Sequence, residues 1–347
     1  MIATGADRIR VVLFGVGVIG SGLLRLAERR PSLEIVGAVV RNEASNGKRL
    51  DELAPGAASR LRASTDGAAV LRDTRPQVAV IATRSTLAEV LPLLRICAES
   101  GIATACTAED LADITPNDGP EAREIFGLAE RHRVAIVALG LNPGFLLDVW
   151  PLVLASLAHD VTSIDAERVV DLSGFGPRVR ASLGVGYAPD DFARELARGT
   201  ISGHRGFPES LRLIGRALGR AVDQTHVETQ PILATRDRPL LGGSLRAGET
   251  AGVRQVATGT SGGTEWIRLT MTASVALDEI GADPVDRVDI AGSAPLHAAI
   301  SPGVGAVPGT IGRIINAIPA VAAAAPGVHS AFALGITPAR LPPPAAS

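Results

Sequence analysis

The run Gly15-Val16-Gly17-Val18-Ile19-Gly20 constrains this chain more than any other feature, because of where it sits. It follows the apolar segment Ile9–Phe14, which reads as a buried strand. It also precedes Leu23 and Ala27, which continue from Ile19 at four-residue spacing as one helix face. A G-x-G-x-x-G run between a strand and a helix has a physical logic. The first glycine permits a tight turn, and the second lets backbone approach a pyrophosphate. The third lets the helix pack closely, and the helix N-terminus attracts the anion. Gly15, Val16, Gly17, Val18, Ile19 and Gly20 are therefore candidate dinucleotide-binding positions.

Short apolar runs continue to alternate with helical stretches. Strands are expected at Glu34–Val40, Val78–Ala82, Ile102–Cys106 and Val134–Leu139, with helices at Leu87–Glu99 and Glu121–Arg133. Fully apolar strands separated by helices mean a parallel sheet covered on both faces. After residue 141 the pattern changes. Ser163–Asp171, Val222–Ala234, Ala251–Gly259 and Glu265–Val275 alternate and are rich in β-branched residues, while Pro189–Arg198 and Pro208–Leu218 read as helices. Ile311, Ile314, Ile315 and Ile318 mark one more helix. The expected fold is α/β: a doubly wound N-terminal sheet over residues 1–141, to which a helix within 305–337 returns. An α+β domain of mostly antiparallel sheet fills 142–304. The proline-rich tail Pro338–Ser347 is expected to be disordered.

Composition excludes several classes. The net charge of −2 supplies no basic field for nucleic acid or an anionic membrane surface. Lys48 is the sole lysine and Tyr187 the sole tyrosine, so a Tyr-x-x-x-Lys pair cannot exist. Cys97 and Cys106 form no C-x-x-C, so no metal site or disulfide framework is expected and a reducing, cytoplasmic setting fits. The uncharged run Val11–Leu24 after Arg8 and Arg10 resembles a secretory leader. It is too short to span a bilayer and fits a nucleotide fold better.

Other candidates fall at strand ends. Arg41 follows the second strand, where an acid would hold the ribose hydroxyls of NAD; an arginine there suits a 2′-phosphate. NADP(H) is therefore preferred and NAD(H) stays possible, with Glu43 as a displaced acid and a solvated Arg41 as the alternative. Thr83, Arg84 and Ser85 end the third strand as cofactor contacts or helix caps. Thr107 and Asp110 have capping-box spacing, so Glu109 is either a first-turn acid favoured by the helix dipole or an acid/base at the sheet's carboxyl edge.

The chain resembles the native amine dehydrogenases and 2,4-diaminopentanoate dehydrogenases, which have a dihydrodipicolinate reductase-like fold. The resemblance runs from Arg8 to Leu334. Beyond the glycine loop it is carried by Thr107-Ala108-Glu109-Asp110-Leu111, Gly140-Leu141-Asn142-Pro143-Gly144-Phe145 and Asp171-Leu172-Ser173-Gly174-Phe175-Gly176-Pro177. The blocks Gly203-His204-Arg205-Gly206-Phe207-Pro208-Glu209-Ser210 and Asn316-Ala317-Ile318-Pro319 follow in order. It implies a homodimeric enzyme that interconverts a small ketone or aldehyde plus ammonia with a primary amine. Glu109 would be catalytic, Asn142, Pro143 and Gly144 a cofactor-side loop, and Asn316 a neighbour of the nicotinamide.

Val40, in place of an acid, and Val170 before Asp171 depart from the commoner pattern. The absence of a His-His-x-x-Lys element argues against dihydrodipicolinate reductase activity. Candidates for the substrate pocket are Phe145, Trp150, Phe175 and His204, together with Arg168, which, like Arg178 and Arg180, either binds a substrate carboxylate or lies on a solvated sheet face. Phe207 and the other aromatics are equally explained by core packing, and His204 by a structural hydrogen bond. Three alternatives remain: 2,4-diaminopentanoate dehydrogenase proper, a ketone or imine reductase, and an NADPH-sensing protein without turnover.

Overall fold

A computed structural model describes residues 8–339. The chain forms two compact units, the first made of residues up to Gly144 together with those from Gly305 onward, the second of Phe145–Val304. In the first, β1 (Ile9–Phe14), β2 (Leu33–Val39), β3 (Val78–Ile81), β4 (Ala103–Cys106), β5 (Ala135–Ala138) and a late strand, β14 (Gly327–His329), form one sheet. Its order is β14-β5-β4-β3-β1-β2 and every pairing is parallel. All four residues of β3 and of β5 are buried, which accounts for their unbroken apolar runs.

Helices Val18–Ala27, Gly67–Thr74, Leu87–Glu99 and Pro120–His132 make the successive crossovers, and Ala306–Ala322 leads into β14. The chain turns one way from β1 to β2 and the other way from β3 onward. The switch point of this sheet thus lies between β1 and β3, the place where open α/β sheets bind ligands beyond their carboxyl ends. Ala306–Ala322 packs on β3, β4 and β5 and against Val18–Ala27. At that crossing a Cβ on Gly22 would lie 2.2 Å from Ile311 Cδ1, so a larger residue would have to displace the Ile311 side chain.

The second unit holds β6 (Val161–Asp171), β7 (Gln224–Leu233), β10 (Thr250–Ser261), β11 (Thr264–Ser274), β12 (Val285–Gly292) and β13 (Leu296–Ile300), in the order β13-β12-β6-β11-β10-β7. A short hairpin, β8 (Arg238–Leu240) with β9 (Gly243–Leu245), stands apart. The sheet is antiparallel except for β6 with β11. Ile164, Ala166, Leu269, Val253 and Val288 face a core shared with Phe192, Phe207, Leu211 and Ile214. On the opposite face Arg287 pairs with Glu167, and Asp289 with His297. Among the described residues no helix is long and apolar enough to cross a membrane. Most of the tail expected to be disordered, residues 340–347, lies outside the described residues.

Candidate functional site

In the first unit, the candidate residues gather along the carboxyl edge of the sheet. Gly15 leaves β1 with φ +98°, and a Cβ there would lie 2.9 Å from Thr83 Cγ2 and 3.0 Å from the Ala82 carbonyl oxygen. A Cβ on Gly20 would come within 1.9 Å of the Gly15 carbonyl oxygen. At Gly17 nothing lies within 4 Å of that position, no side chain caps the helix, and Val18 at its first turn is 68% exposed. The loop is closed where it meets protein and open where a pyrophosphate would meet the helix N-terminus. Val16 and Ile19 are half-buried, and the Val16 carbonyl accepts a hydrogen bond from Ser21 Oγ at 3.1 Å.

Beyond β2, Arg41 is exposed. The adjoining backbone is held: the Val40 N–H donates to the Ser64 carbonyl, and Asn42 Oδ1 accepts from the Ala44 N–H. Glu43 accepts from Asn46 Nδ2 at 3.2 Å.

The stretch after β3 corrects an expectation. Thr83 and Ser85 do not cap the following helix. Thr86 stands at its N-cap position without a capping bond from its own side chain. Instead the Leu87 N–H donates to Asp110 Oδ2 at 2.8 Å, from the segment after β4. Ser85 contributes its carbonyl, which accepts the Glu109 N–H at 2.8 Å, and Arg84 pairs with Glu89 at 3.5 Å.

The capping box read at Thr107 and Asp110 is absent for the same reason. Glu109–Leu111 is a three-residue 3-10 turn with Ala108 at its N-cap, and the Thr107 hydroxyl donates to the Ile81 carbonyl. So short a turn has almost no dipole for an acid to answer. Asp110 is committed to the neighbouring helix, while half-buried Glu109 sits at the sheet edge with its backbone held by Ser85. Just below, Cys106 is buried, and burial pushes its thiol up to about 12, so it is no nucleophile.

Past β5, Asn142-Pro143-Gly144 folds back on itself, and a Cβ on Gly144, at φ +119°, would lie 2.7 Å from the Gly140 nitrogen. Pro143 and Gly144 are buried and Asn142 half-buried. Asn316 projects from Ala306–Ala322. Its Oδ1 is buried and has no hydrogen-bond partner in the protein, an arrangement that costs free energy until a donor arrives. An open pyrophosphate turn and an amide awaiting a partner fit a nicotinamide dinucleotide. Among the described residues, no group of three His, Cys, Asp or Glu could hold a metal ion.

The second unit alters the reading of its arginines. Arg168 and Arg180 are not on a solvated face; each is only 4% exposed. Arg168 Nη1 donates to Asp286 Oδ1 at 2.8 Å and Nη2 to the Val304 carbonyl at 2.6 Å, and Asp286 Oδ2 accepts the Val304 N–H at 2.6 Å. Burial lowers the pKa of Arg168, against the raising effect of Asp286. His204 packs its ring edge-on against Phe207 at 4.7 Å, and its backbone N–H donates to Gln255 Oε1 at 2.8 Å. Burial, helped by the charge of Arg168, pushes the His204 imidazole down to about 4, so it is neutral near pH 7. Trp150 and Phe175 are half-buried against the core, Phe207 lies within it, and Phe145 is half-buried. Two features escaped the sequence reading. Asp286 lies on β12, a strand that the sequence reading did not mark. Asp148, fully buried and bonded to Ser210 Oγ at 3.0 Å, had a visible signal, since it directly precedes a helix.

The family described as the 2,4-diaminopentanoate dehydrogenase C-terminal domain matches residues 145–342. The chain belongs to this family. It is similar to the 2,4-diaminopentanoate dehydrogenase of Acetoanaerobium sticklandii, with 27% identity over 335 residues covering 95% of this chain and 94% of the relative. The solved amine dehydrogenase of Mycobacterium smegmatis superposes with a TM-score of 0.82 at 25% identity, covering 97% of this chain and 98% of that one. A dihydrodipicolinate reductase from Paenisporosarcina shares the fold at 13% identity and a TM-score of 0.52, over 93% and 98% of the two chains. Like these members and neighbours of the 2,4-diaminopentanoate dehydrogenase family, the protein is an oxidoreductase.

Proposed function

We propose that the protein is an NADPH-linked amine dehydrogenase that converts a small ketone or aldehyde and ammonia into a primary amine, and runs the reverse deamination. The observation that carries this reading is Glu109: a half-buried carboxylate at the sheet's carboxyl edge, on a turn too short to need it, beside an acid already used as a cap. Gly15–Gly20 would hold the pyrophosphate, Arg41 the 2′-phosphate, Thr83–Ser85 and Asn142–Gly144 the flanks, and Asn316 the carboxamide. The cofactor, when bound, supplies or accepts hydride.

The remaining work belongs to Glu109. Its carboxylate takes a proton from ammonium, freeing ammonia to add to the carbonyl carbon. It then returns that proton to the carbinolamine hydroxyl, which leaves as water as the iminium forms. The carboxylate is regenerated for the next turnover.

NADPH consumption across short aldehydes and ketones, with and without ammonium, tests the reading. Turnover that depends on ammonium is expected. Ammonium-independent turnover means a ketone reductase, and tight NADPH binding without turnover means a sensor. The family match also supports 2,4-diaminopentanoate itself as substrate, tested by its oxidation with NADP.

The assembly we propose is a homodimer through the second unit. The ten-residue edge strand β7 is exposed along most of its length, and such an edge needs cover. A groove of ≈ 690 Å³ also opens on that sheet, lined by Glu167, Arg254 and Arg287. Sedimentation at micromolar concentration should give twice the chain mass; a monomer there counts against the assembly. Two buried free cysteines suit a reducing, cytoplasmic compartment.

A further inference from the structure

The second unit buries two guanidinium groups to the same degree, and only one meets an opposite charge. Arg168 and Arg180 are each 4% exposed, but Arg168 lies 2.8 Å from Asp286. Among the described residues Arg180 makes no ion pair. Its one side-chain hydrogen bond runs from Nη2 to the Leu241 carbonyl, and its Nη1 is buried without a partner. A buried cation left this way is unfavourable in the ligand-free protein.

The segments around Arg180 are short and rich in exposed glycines. Arg180 lies on the short helix Pro177–Ser182, after the loop Gly174-Phe175-Gly176. A second polar group nearby in the backbone network is also unsatisfied. The Val185 N–H donates to the Arg180 carbonyl, the next residue's N–H donates to the Thr250 carbonyl at 2.8 Å, and the fully buried Thr250 hydroxyl has no partner. Arg178 on the same helix is exposed.

We infer that Arg180 is the centre of a carboxylate-binding site in the second unit. A guanidinium whose Nη1 has no acceptor can donate to a carboxylate, and a negatively charged ligand supplies the missing countercharge. The carboxylate belongs either to the carbonyl substrate, which rests on the amine dehydrogenase reading, or to a free small acid bound independently of turnover.

Thermal unfolding of the whole protein with increasing acetate, or with 4-oxopentanoate, tests binding without any need for activity. The wild type should be stabilised by either acid, but not by neutral 2-pentanone. Arg180→Met should lose that response while melting higher than wild type without ligand, because it removes an unanswered charge. Arg180→Lys should retain part of the response, with binding about 10- to 100-fold weaker. Kinetics then separates the two sources. If the preference for 4-oxopentanoate over 2-pentanone collapses in Arg180→Met, the substrate carries the carboxylate. If acetate stabilises the wild type and that preference is unchanged, the ligand is a free acid. No acid-dependent stabilisation of the wild type, or a lower melting temperature in Arg180→Met, overturns the site and assigns Arg180 to holding Leu241 alone. Failure of every ketone to turn over would count against the amine dehydrogenase reading and leave the unfolding result standing.

Discussion

Asp110 accepts the Leu87 N–H at 2.8 Å across a gap of 23 residues, and by doing so it separates the duties of two adjacent acids. One end of the Leu87–Glu99 helix is satisfied from the loop after β4, so that loop is held in place by Asp110.

Substitutions should therefore divide cleanly between the two positions. Glu109→Gln preserves size but cannot take a proton, and is expected to reduce ammonium-dependent turnover by about 10²–10⁴-fold while NADPH affinity is unchanged. Asp110→Ala removes a cap and should cost about 0.5–2 kcal/mol in urea unfolding, with most turnover retained. A reversed pattern would remove Glu109 from the chemistry.

Cofactor choice should depend on Arg41. Charge-assisted hydrogen bonds are worth about 1.5–3 kcal/mol, so Arg41→Ala should lower kcat/KM with NADPH by about 10-fold or more and leave NADH use nearly intact. Steady-state kinetics with both cofactors measures this. An unchanged ratio would mean that Arg41 is a solvated loop residue.

The Arg168–Asp286 pair, whose side chains are 5% and 2% exposed, should behave as a buried ion pair. Asp286→Ala strands the guanidinium and is expected to cost about 3–5 kcal/mol in denaturant unfolding. Combining it with Arg168→Met should recover much of that loss, since the penalty lies in the uncompensated charge. A double variant no more stable than Asp286→Ala would contradict this account.

Acid stability should carry the mark of His204. Its imidazole falls from an ordinary 6.5 to about 4 in the folded protein, so the unfolded chain binds the extra proton between those values. Stability from this group is complete above pH 6.5 and is lost as pH falls toward about 4. His204→Gln should flatten the pH dependence of the melting temperature in that window. An identical slope in the variant would show that other groups set the acid limb.

Local chemistry made the first unit readable. Val78–Ile81 and Ala135–Ala138 are buried on both faces, so their strands are unbroken apolar words, and Gly15 and Gly20 stand where backbone contacts forbid a Cβ. What stayed hidden depended on contacts distant in sequence. Asp110 has the right spacing for a capping box with Thr107 but finds a better donor in Leu87. Arg168 shares the inward-facing positions of Ile164 and Ala166, and only the pairing of β6 with β12 brings Asp286, 118 residues away, against it. The helix Gly67–Thr74 was missed because eight residues with few large apolar side chains carry little periodicity.

The first unit is discontinuous, and this matters while the chain is being made. A ribosome releases β1 through β5 long before Ala306–Ala322, the helix that covers β3, β4 and β5 and carries Asn316. Until all of Phe145–Val304 has been translated, that face of the nascent sheet is bare and β5 is an open edge awaiting β14. A messenger cut short anywhere in the second unit would thus yield a fragment with a bare sheet face and an open strand edge, prone to stick to other chains.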